Sequence, residues 1–259
     1  MDRSLRFNFS RLFEGVIWNT LAVAEKDLLL LEIRDAEKKQ VKFSALNFAK
    51  NEFLWADKSL EESWWVNLSA VSDGVILYTL YTETNNPDKK ALLAFRLQEH
   101  KMIWWNNDFS LISVIQDRVL GYVSKLSRET VLELQSGKPL NVGVHDAPAP
   151  KSDLLRPFQY NDQTGHFATV QTFLRSKLNL SPIIALEYLE YESLIFISYN
   201  VTENGLVNYL LVLDGSGAVL LHEKLDEPQK GIGLDTFFIL NGCLFFVKNR
   251  RELVSYFIV

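Results

Sequence analysis

Residues 68–80 read LSAVSDGVILYTL, and this stretch decides the class of fold. Apolar Leu68 and Ala70 alternate with polar Ser69, Asp73-Gly74 follows after Val71-Ser72, and a strongly apolar segment begins at Val75. Alternation with a period of two indicates a half-buried β-strand. An Asp-Gly pair favours the positive φ angles of a two-residue hairpin turn. The stretch therefore predicts a β-hairpin whose second strand is buried.

The same pattern of strand, tight polar turn and apolar strand occurs five times along the chain. The copies are Leu21–Ile33, Leu68–Leu80, Leu111–Val123, Ile184–Tyr199 and Thr236–Lys248. Their turns begin at residues 26, 73, 117, 191 and 241, which are 47, 44, 74 and 50 residues apart. Three of these spacings match the roughly 40–50 residues of a four-stranded propeller blade. The long spacing indicates an insertion.

Further strand candidates follow the first four hairpins, and the last copy has one strand too few before the chain ends. An alternating segment near the N-terminus, Leu5–Phe9, lies in the position of a fourth strand. Pairing of this segment with Leu253–Val259 would complete the last sheet and protect its edge. We therefore predict an all-β, five-bladed β-propeller over residues 1–259, with blades at 16–57, 64–105, 109–144, 183–222 and 234–259 plus 5–9.

Two outer hairpins carry a resemblance to a known group of propellers. Residues 93–104, which contain Leu93–Leu97 and Met102–Trp104, and residues Leu210–Leu221 resemble the outer hairpins of quinoprotein-type blades. The glycine-tryptophan signature of that group is incomplete in this chain. The resemblance implies the repeat fold and no quinone binding. As a pattern, the chain also resembles small bacterial propeller families without assigned function.

Three other architectures are compatible with parts of this pattern. A β-sandwich also shows alternating strands at regular spacing, and two smaller β domains could divide near Pro148–Pro150. A six-bladed ring would need a blade hidden in the insertion. The closing strand argues against the first two, because neither needs a strand from the opposite end of the chain.

The insertion covers residues 145–180 and begins with a proline-rich segment that predicts an extended connector. A helix follows, because Phe167, Val170, Phe173 and Leu174 recur on one face and Leu178 continues it. We expect the helix either to pack on the propeller or to act as a lid or docking element. In propellers such a connection lies on the face where ligands usually approach the channel.

Composition excludes several functional classes. Apolar residues make up 47% of the 259 residues, which argues against a disordered chain. The net charge is −5, which argues against nucleic acid and anionic membranes as partners. No apolar run reaches the roughly 20 residues of a transmembrane helix. The single cysteine, Cys243, lies in an apolar run and predicts a buried thiol. We expect a cytoplasmic protein without a cofactor or metal.

Two sets of residues are candidates for chemistry. Acidic residues that precede the first strands of blades could form a carboxylate pair for acid–base cleavage of a sugar. These residues are Glu14, Glu62, Asp108 and Asp235. The other set offers aromatic stacking and polar contacts. It consists of Trp65, Trp105, Asn106, Asn107, His145 and His166.

The leading prediction is a non-enzymatic binding or scaffolding propeller for an unknown protein or small molecule. Loops that lead into the first strands, together with residues 145–180, would form its ligand-facing surface. The alternative is a carbohydrate-active hydrolase that uses the four carboxylates. A quinone or metal enzyme would need His145 and His166 to converge on one ion. His100 and His222 are predicted to be exposed to solvent.

Overall fold

The computed structural model describes residues 3–123, 128–141, 154–180, 185–202, 204–227 and 235–259. Several predicted features lie outside these ranges: His145, the first nine residues of the insertion, and the predicted blade ends at 142–144 and 183–184. Within the ranges the chain divides into two compact units. One comprises residues 14–152, and the other comprises residues 1–13 with 153–259.

The described residues form five antiparallel sheets, numbered I to V, and one α-helix. The chain begins with β1 (Leu5–Leu12). Sheet I contains β2 (Val16–Val23), β3 (Leu28–Asp35), β4 (Gln40–Asn47) and β5 (Glu52–Lys58). Sheet II contains β6 (Val66–Ser72), β7 (Val75–Tyr81), β8 (Lys90–Arg96) and β9 (Lys101–Asn106). Sheet III contains β10 (Ser110–Ile115), β11 (Arg118–Val123), β12 (Arg128–Glu133) and β13 (Pro139–Leu140).

The remaining elements belong to the second unit. A short strand, β14 (Leu154–Leu155), precedes β15 (Phe158–Asn161) and the helix α1 (Gly165–Leu178). Sheet IV contains β15, β16 (Ala185–Tyr191), β17 (Leu194–Thr202), β18 (Leu206–Leu213) and β19 (Val219–Lys224). Sheet V contains β20 (Phe237–Leu240), β21 (Cys243–Lys248) and β22 (Glu252–Ile258), with β1 and β14 at its two edges.

All five predicted hairpins are present, and the two turns with an Asp-Gly or Asn-Gly pair have the expected backbone. The first turn instead contains a 3-10 helical segment, Ala24–Lys26, and the fourth lies one residue later than predicted. Asp73 and Gly74 have φ angles of 40° and 72°, and Asn241 and Gly242 have 49° and 70°. Positive φ at both central residues is the conformation that matches the twist of adjacent strands. Glu192 and Ser193 adopt it as well, at 51° and 65°, without a glycine. The third turn lies one residue earlier than predicted, with Gln116 at φ 56°.

The predicted pairing of the two ends of the sequence is confirmed. β1 runs antiparallel to β22, with Leu5 opposite Ile258 and Leu12 opposite Glu252. It thus takes the fourth-strand position of sheet V, whose strands β20, β21 and β22 come from the C-terminal segment. The predicted burial of Cys243 on β21 is also confirmed.

Consecutive sheets within each unit pack face to face. In the 14–152 unit, sheets I and II share a core that includes Leu30, Phe43 and Tyr78. Sheets II and III share another that includes Leu77 and Phe109. Sheets IV and V of the other unit are joined by a third core of buried Leu, Phe and Val side chains. Burial of apolar area at about 25 cal/mol/Å² makes these interfaces the main source of stability.

Two buried indoles form hydrogen bonds between neighbouring sheets of the 14–152 unit. The Trp55 Nε1 donates to the Leu97 carbonyl oxygen over 2.7 Å, and the Trp104 Nε1 donates to that of Leu134 over 2.8 Å. Each tryptophan lies on the last strand or outer hairpin of one sheet, and its acceptor directly follows the third strand of the next. The bond satisfies a buried polar group at each end.

The insertion forms more strand than predicted. The predicted helix is confirmed as α1, whose buried residues Phe167 and Leu174 pack on sheet IV. The short strands β14 and β15 were not predicted. Each pairs with the first strand of a predicted hairpin and so extends the sheet at that edge: β14 pairs with β20, and β15 pairs with β16. Strands this short show too few alternations to be recognised in sequence. None of the helices in the described ranges has the length and apolar character needed to cross a bilayer.

Candidate functional site

A cavity of about 350 Å³ lies in the 14–152 unit, at the first strands of sheets I, II and III. Nine described residues line it: Trp18 and Asn19 of β2, Glu32 of β3, Asn67, Leu68 and Ser69 of β6, Thr79 of β7, and Leu111 and Ile112 of β10. The volume is at the lower end of the 300–1,000 Å³ range of small-molecule sites.

A β-bulge interrupts the same part of all three first strands. The register shifts between Ile17 and Asn19 in β2, between Leu68 and Ala70 in β6, and between Leu111 and Ser113 in β10. The extra residue in each strand is Trp18, Ser69 or Ile112, and all three line the cavity. A bulge leaves its extra residue outside the ladder and redirects its side chain.

The other hairpins differ in this respect. Over their described residues, β16 pairs with β17 and β20 pairs with β21 without a register shift. Bulges in first strands are therefore confined to the sheets that surround the cavity, within the described part of the chain. The three first-strand bulges and the cavity therefore occur at the same place in the fold.

The cavity wall is formed mainly by neutral polar groups. The Ser69 hydroxyl donates to the Thr79 Oγ1 over 2.7 Å and accepts from the Thr79 amide over 3.2 Å. The Asn19 Nδ2 donates to the Leu68 carbonyl oxygen over 2.9 Å. The Asn67 Nδ2 approaches the Tyr81 hydroxyl at 3.5 Å. Amides and hydroxyls both donate and accept hydrogen bonds, so this wall suits a ligand with several hydroxyl or amide groups.

Glu32 is the one ionisable residue among the nine that line the cavity, and its charge is compensated from within the protein. Its Oε1 accepts from the Arg34 Nε over 2.6 Å, and its Oε2 accepts from the Leu68 amide over 2.7 Å. Burial raises the pKa of this fully buried carboxyl, while the bonds from Leu68 and Arg34 act in the opposite direction. The pair contributes little net charge to the cavity.

Arg34 in turn holds the first strand of sheet II. It donates to the carbonyl oxygens of Trp64 and Val66 over 3.2 and 2.7 Å, and to the Asn67 Oδ1 over 2.6 Å. Its guanidinium also lies over two indole rings, 5.5 Å from the centre of Trp18 and 5.2 Å from that of Trp64. An arginine held by four hydrogen bonds thus supports Trp18 at the cavity.

A second buried carboxyl performs the same structural task in the other unit. The Glu187 carboxylate accepts from the amides of Asp235 and Thr236 over 2.6 and 3.0 Å and from the Thr236 hydroxyl. As with Glu32 and Leu68, a carboxyl of one sheet binds backbone amides in, or just before, a first strand of the next sheet. Burial raises the pKa of Glu187 as well.

The four predicted catalytic carboxylates are not among the residues that line the cavity. Glu14 is largely exposed and pairs with Lys42 at 3.6 Å. Glu62 accepts from the Trp64 and Trp65 amides over 2.8 and 2.9 Å. Asp108 follows β9 in a turn, and Asp235 pairs with Arg156 at 3.1 Å. Their catalytic role stays a prediction, without support from this cavity.

The predicted ligand residues lie apart from the cavity lining too. Trp65 precedes β6, and Trp105 lies in β9; both are exposed, whereas their neighbours Trp64 and Trp104 are half-buried and buried. The adjacent pairs Trp64-Trp65 and Trp104-Trp105 predict burial of both members between neighbouring sheets, since adjacent strand residues point to opposite faces. This prediction is wrong, because Trp65 is 43% and Trp105 is 59% exposed. In the turn after β9, the Asn106 Oδ1 accepts from the Asp108 amide, and Asn107 is exposed. Their role in binding stays a prediction.

The structure contradicts one prediction about the histidines, the exposure of His100 to solvent. His166 is exposed at the start of α1, with its ring 5.3 Å from that of Tyr160, and its predicted partner His145 lies outside the described residues. His222 is exposed as predicted, but His100 is not: it is half-buried and bonds the Tyr78 hydroxyl over 3.0 Å. The described residues contain no group of three His, Cys, Asp or Glu that could hold a metal ion.

The sequence contains one signal for the residues that were missed. Glu32 and Arg34 follow four consecutive leucines, Leu28–Leu31, and charged residues at the end of such a buried run are rarely left unpaired. Trp18, Asn19 and Ser69 carry no comparable signal, because a bulge leaves no mark in composition.

Comparisons with known proteins identify a partial family match. Residues 22–104 match a family described as "Domain of unknown function (DUF4905)". No curated protein matches the sequence. Among solved structures, the chain is similar to a europium-containing methanol dehydrogenase, with 12% identity over 95% of this chain and 52% of that chain, and a TM-score of 0.34.

Two other solved structures show similarity of the same size. One is the β-propeller domain of the Trilobed protease from Pyrococcus furiosus, with 9% identity over 92% of this chain and 64% of that one, and a TM-score of 0.34. The other is an exo-β-1,3-galactanase from Phanerochaete chrysosporium, with 7% identity over 97% and 67% and a TM-score of 0.31. The chain spans about half the length of the dehydrogenase and about two thirds of the other two. No activity is transferred from similarity this distant.

Proposed function

We propose that this chain is a five-bladed β-propeller closed by β1 and that it acts as a non-enzymatic binding module. Its ligand would occupy the cavity at the first strands of sheets I to III. Five meandering sheets, face-to-face packing within each unit and the position of β1 in sheet V support the propeller. A small molecule fits the cavity better than a protein surface, because the cavity is concave and small.

The observation that carries the proposal is the alignment of three bulges with one cavity. Trp18, Ser69 and Ile112 are far apart in sequence, yet each is the extra residue of a first strand and each lines the same space. Bulges are frequent next to functional sites because they redirect side chains. A purely structural use of the bulges, to increase strand twist, gives no reason for a polar cavity at the same place.

The electrostatics of the cavity favour a neutral ligand. Glu32 would repel an anion, and its pairing with Arg34 removes most of its attraction for a cation. A single carboxyl engaged in this way is also a poor general acid or base, because acid–base cleavage of a sugar needs two carboxyl groups on opposite sides of the bond. This cavity therefore does not support the alternative function as a carbohydrate-active hydrolase. A cytoplasmic location agrees with a sequence that contains a single cysteine and therefore forms no disulfide within the chain.

The proposal is tested by blocking the cavity. Ile112 is 57% exposed, so Ile112→Trp should fold normally and fill part of the space. Met102→Trp is the matched control, because Met102 is 45% exposed in the same unit and does not line the cavity. A library of small neutral, anionic and cationic compounds is screened by ligand-observed NMR against the wild type and both variants.

We expect neutral compounds to bind the wild type and Met102→Trp, and Ile112→Trp to weaken their binding by about tenfold or more, since steric exclusion removes most contacts. If the compounds that bind are unaffected by Ile112→Trp, or if none of the neutral compounds binds at all, the cavity is not the ligand site.

A further inference from the structure

We infer that the ligand of this cavity is a saccharide, with a pyranose ring stacked on Trp18 and its hydroxyl groups bonded to the polar wall. This inference rests on the proposed binding function and names its ligand class. It follows from the combination of one presented aromatic face with neutral donors and acceptors beside it.

Trp18 is placed and supported as a stacking surface. It is 59% exposed although indole rings bury much apolar area when a fold allows it. The bulge in β2 directs it to the cavity, and the Arg34 guanidinium covers one face of the ring at 5.5 Å. A ligand therefore stacks on the opposite face. The same guanidinium lies 5.2 Å from the centre of the Trp64 ring, and the Lys39 Nζ lies 5.0 Å from that ring, so further groups extend the support.

This support is rigid because Arg34 is held at four of its five N–H donors. Its guanidinium makes four hydrogen bonds, to Glu32, Trp64, Val66 and Asn67. A ligand that stacks on Trp18 consequently loses little binding free energy to ordering of the ring. Arg34 is a positioning residue here, because four of its five N–H groups already bond protein atoms.

The wall beside Trp18 matches the edge of a sugar ring. The hydroxyls of Ser69 and Thr79 bond each other, and each retains acceptor capacity, because a hydroxyl has two lone pairs. The 3.5 Å contact of the Asn67 Nδ2 with Tyr81 is long enough for a ligand hydroxyl to compete for that donor. Amide and hydroxyl groups of this kind bond sugar hydroxyls in either direction.

Other ligand classes fit less well. An apolar compound would desolvate the amides and hydroxyls without replacing their hydrogen bonds, which is unfavourable. An acyclic polyol would bond the wall and leave the face of Trp18 unused. A pyranose with equatorial hydroxyls presents a flat face of C–H groups to the ring and a polar edge to Asn67, Ser69 and Thr79. A cavity of about 350 Å³ accommodates one or two such rings.

The experiment uses the full chain and three neutral probes: methyl β-D-glucopyranoside, cellobiose and sorbitol. Saturation-transfer NMR and isothermal calorimetry are recorded for the wild type, Trp18→Ala, Ser69→Ala and Trp105→Ala. Trp105 is the matched control, because it is also 59% exposed, lies in the same unit and does not line the cavity. The expected result is binding of both pyranosides, with saturation on their ring C–H protons, and weak or no binding of sorbitol.

Among the variants, Trp18→Ala should weaken pyranoside binding by about tenfold or more, given the area that an aromatic ring contributes. Ser69→Ala should weaken it by about three- to tenfold, the range of one hydrogen bond, and Trp105→Ala should leave it unchanged. Sorbitol binding as tightly as the pyranosides would overturn the inference, as would equal binding by Trp18→Ala and Trp105→Ala. Absence of binding at about 50 mM pyranoside would do the same, since even a weak site has a millimolar dissociation constant.

These outcomes separate the inference from the function on which it rests. If a non-sugar compound binds in an Ile112-dependent manner and the pyranosides do not displace it, the saccharide assignment is wrong and the binding function stands. If the pyranosides bind and Ile112→Trp does not weaken them, they occupy another site and both proposals fail.

Discussion

Replacement of Trp104 by phenylalanine tests how neighbouring sheets are held together. The substitution removes the indole N–H that donates to the Leu134 carbonyl oxygen over 2.8 Å. Leu134 is fully buried, and Trp104 is 8% exposed. An added Cβ at Gly137 would lie 2.6 Å from the Trp104 ring, so the backbone of sheet III lies directly against it. The smaller ring would leave both the carbonyl and this contact incomplete.

Two contributions determine the expected loss of stability. A buried carbonyl that loses its donor costs about 1–3 kcal/mol. The volume difference between indole and phenyl, about 40 Å³, costs about 1 kcal/mol at about 24 cal/mol per Å³ of cavity. We therefore expect the free energy of unfolding to fall by about 2–4 kcal/mol. With a denaturant slope of about 5 kcal/mol/M, the midpoint in guanidinium chloride should fall by about 0.4–0.8 M.

The adjacent residue provides the control for this experiment. Trp105 is 59% exposed on the opposite face of β9, so Trp105→Phe should change the unfolding free energy by less than about 0.5 kcal/mol. Trp55→Phe should repeat the loss, because the Trp55 Nε1 donates to Leu97 in the same way. Unfolding is followed by circular dichroism. Equal midpoints for Trp104→Phe and Trp105→Phe would refute the role assigned to the buried indoles.

Three more predictions concern buried groups of the 14–152 unit. Burial lowers the pKa of His100 to about 4, so the unfolded chain binds a proton below pH 6.5 while the folded chain does not. The contribution of neutral His100 to the free energy of unfolding should be fully present above pH 6.5 and should fall by about 1–2 kcal/mol towards pH 4, a value reduced for solvent screening. His100→Gln should reduce this pH dependence in denaturation curves recorded from about pH 7 to 4. Gly121→Ala should lower the melting temperature through a loss of about 2–3 kcal/mol, because the new Cβ would lie 2.3 Å from the buried Phe109 ring. Glu32→Gln should cost about 3 kcal/mol in chemical denaturation, because it leaves the Arg34 guanidinium without its counter-charge.

Control substitutions within the same chain accompany these variants. Gly165→Ala should be neutral or slightly stabilising, since no atom lies within 4 Å of the added Cβ and alanine favours the helix. Glu14→Gln should have little effect, because Glu14 is largely exposed. A pH profile of His100→Gln identical to that of the wild type, or equal midpoints within either matched pair, would contradict the corresponding explanation.

Prediction from the sequence succeeds where one local rule decides the outcome. Asp73-Gly74 and Asn241-Gly242 mark turns because few other residues accept positive φ at both positions. The pairing of β1 with β22 follows from the count of strands in the last repeat and the need to protect an edge. The helix α1 follows from the spacing of Phe167 and Leu174.

The sequence by itself therefore determined the all-β class, the five hairpins and the pairing of β1 with β22. Only the tertiary structure decided which tryptophan of each pair is buried and which residues form the cavity. Trp18, Ser69 and Ile112 come together through one-residue bulges in three separate strands. Such a bulge changes no composition and shifts the alternation by a single residue, and its position depends on how neighbouring sheets pack, so no local pattern in the chain encodes the site.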